Sequence, residues 1–310
     1  MRIALALSAL LLSAGAAHAN MPGEKDVVRT VTFGGSCGGC EFSGRKLQNA
    51  NFRGGDFSGS VLADADLRGA KMMSAQFSGA DFTRANLAGA TLNGSNLSGT
   101  DFSRANLAGL VSLGVNFSGA DFTGADAARA ALKASNLSGA TLRRTNLSGA
   151  ELHGANLTGA EASGANFSNA DFTGTNLTGA EFDRSSFVGA DLTGANAFGA
   201  EFGTSDLRGA NLRRMNLSSA DLSRVRGLSQ AQLDAACGDA DTRTPRGLTV
   251  RACPSRIVNR TRTFTTRSDN GKVVTITTGP DGITRVTTHG ALVGLPHLPK
   301  MPKPPKPPER

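Results

Sequence analysis

Cys37 and Cys40, held apart by Gly38 and Gly39, are the closest pair of reactive side chains in the 310-residue chain. A C-x-x-C pair can exchange a disulfide or supply half of a zinc site. Neither chemistry finds its surroundings here. No βαβ pattern encloses the pair, and no second C-x-x-C or nearby His completes a tetrahedral ligand set. The structural alternatives are a local disulfide or a pair of buried thiols. Cys237 and Cys253 complete the set, and four cysteines allow three pairings. His153 stands alone, and His289 and His297 lie near the C-terminus. No Ser, His and acid combination appears at a catalytic spacing. The expectation is a protein that is not an enzyme, with no cofactor and no metal.

The element that positions these residues is a repeat. Steps of five from Phe42 to Leu222 give 37 positions, of which 32 are Leu or Phe. The exceptions are Met72, Ser112, Ala127, Ala162 and Ala197. Thirteen of the sixteen Phe fall in this frame, so composition alone does not produce it. Two residues before each large side chain sits a small one, as at Ala80, Ala85 and Ala90, and between them a polar residue, as at Asp81 and Asn86. A strict period of five suits neither the 3.6 of a helix nor the 2 of a strand. It suits a short extended piece and a corner, repeated as a solenoid. Extended chain alternates faces, so the small and large residues share the interior. Gly, two after the large residue, suits the corner. Arg84, Arg104, Arg144 and Arg224 take the same slot, which predicts corners of a type that accepts a side chain.

The stretch GADFTRANLAGATLNGSNLSGTDFSRANLAG resembles the pentapeptide-repeat family, whose consensus is A-(D/N)-(L/F)-x-x. The match runs from Cys40 to about Arg224. The resemblance implies an all-β solenoid, a right-handed quadrilateral β-helix with four pentads per coil, and therefore about nine coils. At the ~4.8 Å spacing of stacked strands the rod is roughly 43 Å long. A disulfide needs Cα atoms within about 7 Å. On such a rod two of the three cysteine pairings would span its length, leaving Cys37–Cys40 and Cys237–Cys253.

Residues twenty apart then stack. One face carries Asn96, Asn116, Asn136, Asn156, Asn176, Asn196 and Asn216, with Ser98, Ser118, Ser138, Thr158 and Thr178 beside them. Such columns can hydrogen-bond along the rod; the alternative is a lattice for glycan or ice. Another face carries Asp81, Asp101, Asp121, Glu161, Glu181, Glu201 and Asp221, which Arg84, Arg104, Arg144, Arg184 and Arg224 are expected to offset as a charge network. The clearest departure is Leu110-Val111-Ser112-Leu113, where the small and large slots exchange sizes and Val111 and Leu113 point outward. Met73 stands two coils earlier in the column of Leu113, and Ala88, Ala108 and Ala128 form a column on the neighbouring face. Met73, Val111 and Leu113 make the candidate interaction patch.

The flanks are of other kinds. Residues 1–19 read as a signal peptide: Arg2, the apolar run Ile3–Leu12 and the small-x-small site Ala17-His18-Ala19. An exported chain, periplasmic or secreted, is expected, and export favours disulfides. The N-x-(S/T) triplets are by-products of the repeat. Residues 20–39 form a lead-in, 40–225 the β-helix, and 226–255 a capping helix with N-cap Ser229 and a disulfide loop. Residues 256–290 form a small β-meander of Thr261–Thr266, Val273–Thr278 and Ile283–Thr288, with turns at Asp269-Asn270-Gly271 and Gly279-Pro280-Asp281-Gly282. Residues 291–310 are a Pro-rich basic tail.

Charge divides along the same lines. The formal net charge is +8. From Cys40 to Val225 there are 16 Lys and Arg against 17 Asp and Glu, whereas from Arg226 onward there are 14 against 6. Members of the resembled family that protect DNA gyrase are read as acidic mimics of duplex DNA, and a near-neutral exported rod does not support that role. The reading is a non-enzymatic scaffold whose Lys300, Lys303, Lys306 and Arg310 contact an anionic envelope surface. An unknown protein partner, peripheral membrane contact and a dimer all remain open, and no nucleic acid is expected. An inhibitor mimicking an elongated acidic ligand is the rival, and a thiol-redox site at Cys37 and Cys40 is the third.

Overall fold

The computed structural model describes residues 35–254, together with the backbone of three strands in the segment that follows. The chain divides into two units, 1–253 and 254–310.

In residues 81–85 every backbone N–H has a partner, and this pattern fixes the coil. The Asp81 N–H donates to the Ser60 carbonyl at 2.9 Å, Phe82 to Asp101 at 2.7 Å, and Arg84 to Ser103 at 2.9 Å. Ala85 closes the corner onto the Phe82 carbonyl at 2.9 Å. The fifth donor, Thr83, reaches no carbonyl; the Asp81 carboxylate accepts it at 2.8 Å. Buried or half-buried amides need such partners, and a side-chain oxygen two residues back is the natural one. Parallel bridges join residues twenty apart, from Ser36↔Asp56 to Asp206↔Arg226.

The interior is the stack of small and large slots. Phe82, Phe102 and Phe122 stack with neighbouring ring centroids 5.0 Å apart. Ala127, Ala162 and Ala197 occupy large slots and stay buried. Hydroxyls in small slots donate to backbone carbonyls, as Thr145 to Phe122 at 2.8 Å and Thr175 to Leu152 at 2.9 Å. Among the described residues no buried side-chain polar atom lacks a partner.

The corners differ from the sequence expectation. At every fifth residue from Gly39 to Ser219 except Thr204, φ is positive. Arg84, Arg104 and Arg144 lie at φ 57, 59 and 56, a few degrees below corner glycines such as Gly99 at 62 and Gly79 at 65. These three corners are therefore not of another type; a side chain adopts the left-handed region at a cost of roughly 1–2 kcal/mol, whereas Arg224 does not have positive φ. At residues 203–204 the positive φ moves to Gly203, and the Asp183 carboxylate accepts the Thr204 N–H at 2.9 Å.

The frame also starts earlier than Phe42. Cys37 occupies a large slot and Cys40 the following small slot, with the Cys40 N–H closing onto the Cys37 carbonyl at 3.2 Å. C-G-G-C is thus a corner, stapled across Cα atoms 5.5 Å apart. At the other end, α1 (Gln230–Asp234) carries a capping box between Ser229 and Gln232. The Gln232 amide donates to the Leu207 and Ala210 carbonyls, both at 2.9 Å. The chain then rejoins the ladder at Asn216↔Cys237 and Asp221↔Arg243, and Cys237 is bonded to Cys253 across 4.5 Å between Cα atoms.

The second unit holds an antiparallel sheet in the order β1 (Arg262–Arg267), β2 (Val273–Thr278), β3 (Thr284–His289). Phe264, Ile276 and Val286 share one cross-strand row. The first and third strands begin one residue later than the sequence pattern suggested. The two expected turns and the tail residues Lys300, Lys303, Lys306 and Arg310 lie outside the described residues.

Candidate interaction surfaces

The four faces of the rod carry different chemistry. On the acidic face the Asp side chains cap their own corners: Asp101 accepts the Ser103 N–H and Asp121 the Thr123 N–H, both at 2.8 Å. The expected pairing with the arginine column is not what forms. Arg84 reaches back one coil to Asp64 at 2.6 Å, and Arg184 meets Asp183 at 3.2 Å. Arg143, not Arg144, pairs with Glu161 at 2.8 Å. Among the described residues Arg104, Arg144 and Arg224 have no ion-pair partner. The reason is geometric: the Asp oxygen is already aimed at the N–H two residues on, and the corner arginine points toward its own column.

At Asp64 and Asp206 the ion pair holds the carboxyl below the ordinary range. The Arg84 guanidinium, by hydrogen bond, lowers Asp64, and Arg208 does the same for Asp206. The Ser223 hydroxyl, followed by its N–H, lowers Asp221. Near the cap, the Ser219 N–H is the main influence lowering Asp239. Asp64 and Asp239 are exposed, Asp206 and Asp221 half-buried, and all four have structural partners. Among the described residues no cluster of His, Cys, Asp or Glu is arranged to hold a metal ion.

The size exchange at Leu110–Leu113 is a local rebuilding of a corner. Leu110, Ser112 and Val115 are buried, while Val111 and Leu113 are 42% and 56% exposed. Val111 has no oxygen to cap the Leu113 N–H, and Asn93, one coil back, accepts it at 2.9 Å. The corner also lacks its closing backbone bond. The Val115 N–H goes instead to the Ser135 hydroxyl at 3.4 Å. Met73 is not contiguous with this patch, because Asn93 occupies the coil between. The Arg53 guanidinium lies against the Met73 sulfur at 3.1 Å. The patch is better described by Val111 and Leu113 with Ala131 and Ala134 one coil on.

Phe198 escaped the sequence reading. It is 48% exposed and stands in the column of Ser98, Ser118, Ser138, Thr158, Thr178 and Ser218. The signal was present: Ala197 leaves a large slot underfilled, and the aromatic residue follows immediately. Beside that column the Asn ladder forms. Asn116 donates to Asn96 at 3.0 Å, Asn136 to Asn116 at 3.3 Å, Asn156 to Asn136 at 3.1 Å and Asn216 to Asn196 at 2.8 Å.

A four-faced β-helix of five-residue units, closed on itself by backbone ladders and presenting side-chain columns, defines a solenoid scaffold. The sequence model described as pentapeptide repeats (8 copies) matches in overlapping stretches that run, with one short gap, from residue 40 to 236. The chain belongs to the pentapeptide-repeat family. Among solved structures it is similar to HetL of Nostoc sp. strain PCC 7120, a protein involved in heterocyst differentiation regulation. That likeness is 25% identical, covers 66% of this chain and 91% of that one, and has a TM-score of 0.47. QnrB1, a plasmid-mediated fluoroquinolone resistance protein, is 20% identical over 73% of this chain and 95% of its own, with a TM-score of 0.27. A pentapeptide repeat protein from the Arabidopsis thaliana thylakoid lumen is 31% identical over 33% of this chain and 70% of its own, with a TM-score of 0.24. Among curated proteins no match is found.

Proposed function

We propose that the protein is an exported, non-enzymatic interaction scaffold whose basic C-terminal segment contacts an anionic surface of the cell envelope. The segregation of charge carries this reading. The repeat block is near neutral, whereas the residues from Arg226 onward hold 14 Lys and Arg against 6 Asp and Glu. Near an anionic membrane each such cation contributes about 1 kcal/mol before screening. The leader-like residues 1–19 and four cysteines joined in two local pairs support an oxidising destination. A near-neutral rod is a poor imitation of duplex DNA, which carries a negative charge per ~1.7 Å.

Sedimentation with anionic vesicles tests the proposal. Binding is expected at low salt, with release as salt shortens the Debye length. Removal of residues 292–310, with Lys300, Lys303, Lys306 and Arg310, is expected to weaken binding and leave the far-UV spectrum of the rod unchanged. Binding that survives the truncation would move the contact to the rod, with Val111 and Leu113 the first residues to change.

A further inference from the structure

One face of the rod carries no charge over most of its length. Its outward positions from Gln76 to Ser219 are Gln, Asn, Ser, Thr, Gly and the single Phe198. That is eight layers, roughly 34 Å at ~4.8 Å per coil. Each of the other three faces carries Asp, Glu, Lys or Arg within the same coils.

The hydrogen bonds on this face leave a defined remainder. An Asn side chain offers two acceptor lone pairs and two N–H donors. The Asn116 carbonyl oxygen accepts the Ser118 N–H at 3.1 Å and the Asn136 amide at 3.3 Å, which fills both lone pairs. One Asn116 N–H is used on Asn96. The other has no partner among the described residues, and Asn136 repeats the arrangement with Asn116 and Asn156. The Ser98, Ser118 and Ser138 hydroxyls make no hydrogen bond to a described residue. At Thr158 and Thr178 the hydroxyl turns back onto the neighbouring Asn oxygen, at 2.6 Å in each case. Past them stands the ring of Phe198, almost half exposed. The face thus offers a row of amide donors and hydroxyls at the coil spacing, ending in an aromatic platform.

We propose that this uncharged face binds an extended, neutral, N-acetylated β-1,4-linked glycan lying along the coils. The missing charge disfavours an anionic polymer, which would be drawn to the basic segment instead. The acetamido carbonyl is the acceptor that these Asn N–H groups require, and the sugar hydroxyls match Ser98, Ser118 and Ser138. The C–H face of a pyranose packs on the electron-rich face of Phe198. An extended β-1,4 strand turns successive sugars over, so every second sugar presents the same groups to the face, and its repeat of two sugars is set against every second coil.

The test uses the full chain and chitohexaose, titrated calorimetrically at high salt so that contacts of the basic segment are screened. Saturable binding is expected. Phe198→Ser restores the column to its usual residue and is expected to keep the melting transition while weakening binding at least tenfold. Ser118→Asp places a charge on the face and is expected to do the same. Absence of binding to chitohexaose overturns the proposal, as does binding that neither variant changes. Ice shaping without glycan binding would also overturn it and reassign the comb to ordered water. Loss of vesicle binding on removing residues 292–310, with chitohexaose affinity unchanged, separates this face from the envelope contact proposed above.

Discussion

The corner at Asp101–Ala105 and the corner at Val111–Val115 are two solutions to the same problem. In the first, Asp101 caps the Ser103 N–H and Ala105 closes onto Phe102 at 2.9 Å, so the corner is complete within its own five residues. In the second, both donors are satisfied from neighbouring coils, by Asn93 on one side and Ser135 on the other. The comparison shows what the polar position of the repeat does. It is a cap for a donor that the ladder cannot reach, and only secondarily a solvated residue. At Val111, where that cap is lost to an apolar side chain, an adjacent layer supplies it. Outward chemistry can therefore change without moving the coil.

The interior has no such latitude, and the largest expected effect lies there. Leu147→Asp puts an unpaired carboxylate into a dry stack and is expected to cost more than about 4 kcal/mol. Ser148→Asp, one residue on and outward, is expected to be near neutral. Equal melting temperatures for the two variants would mean that the frame is misassigned.

The two ends of the rod sharpen the comparison next. Cys237 and Cys253 close a loop with a sequence separation of 16, whereas Cys37 and Cys40 are separated by 3. Loop-closure entropy gives the longer link about 3 kcal/mol. Cys253→Ser is thus expected to lower the unfolding midpoint well below that of Cys40→Ser. The reverse order would show that the C-terminal layers hold without their bond.

A smaller effect follows from the paired carboxyls. Asp64, Asp206, Asp221 and Asp239 are lowered in the fold from their usual value of 3.8. Groups depressed in the folded state contribute stability above the unfolded pKa and lose it as pH falls through the folded value. The melting temperature should therefore be flat from about pH 8 to 5 and fall below about pH 4. A rise in melting temperature on acidification would contradict these assignments. The Asn ladder, which has no titrating group, should not take part.

Much of this architecture was legible in the sequence because each pentad repeats one decision. The large slot at Phe82 or Leu147 and the small slot at Ala80 follow from side-chain volume, and volume survives averaging over many copies. The stacking of Asn96 on Asn116 follows from four pentads per coil. What was not legible depended on local directions. Nothing in the order of residues shows that Arg84 turns back to Asp64 rather than toward Asp81, because both lie within reach of a long side chain. The left-handed φ of Arg104 looked improbable for a single residue, and neighbouring ladders over-determine it. Cys37 was read as preceding the frame because a cysteine does not look like a Leu or Phe, although its slot is theirs. Phe198 stands in an outward slot that carries no size pattern, so its only sequence signal is the small Ala197 before it.

The most direct test of the capping account is a double-mutant cycle on Asn93 and Val111. Asn93→Ala removes the acceptor of the Leu113 N–H and is expected to cost about 1 kcal/mol. Val111→Asn restores an oxygen two residues before Leu113 and makes Asn93 redundant. In the Val111→Asn background, Asn93→Ala is therefore expected to cost close to nothing. An equal cost in both backgrounds would contradict the claim that the 111–115 corner is completed by a side-chain cap from the adjacent layer.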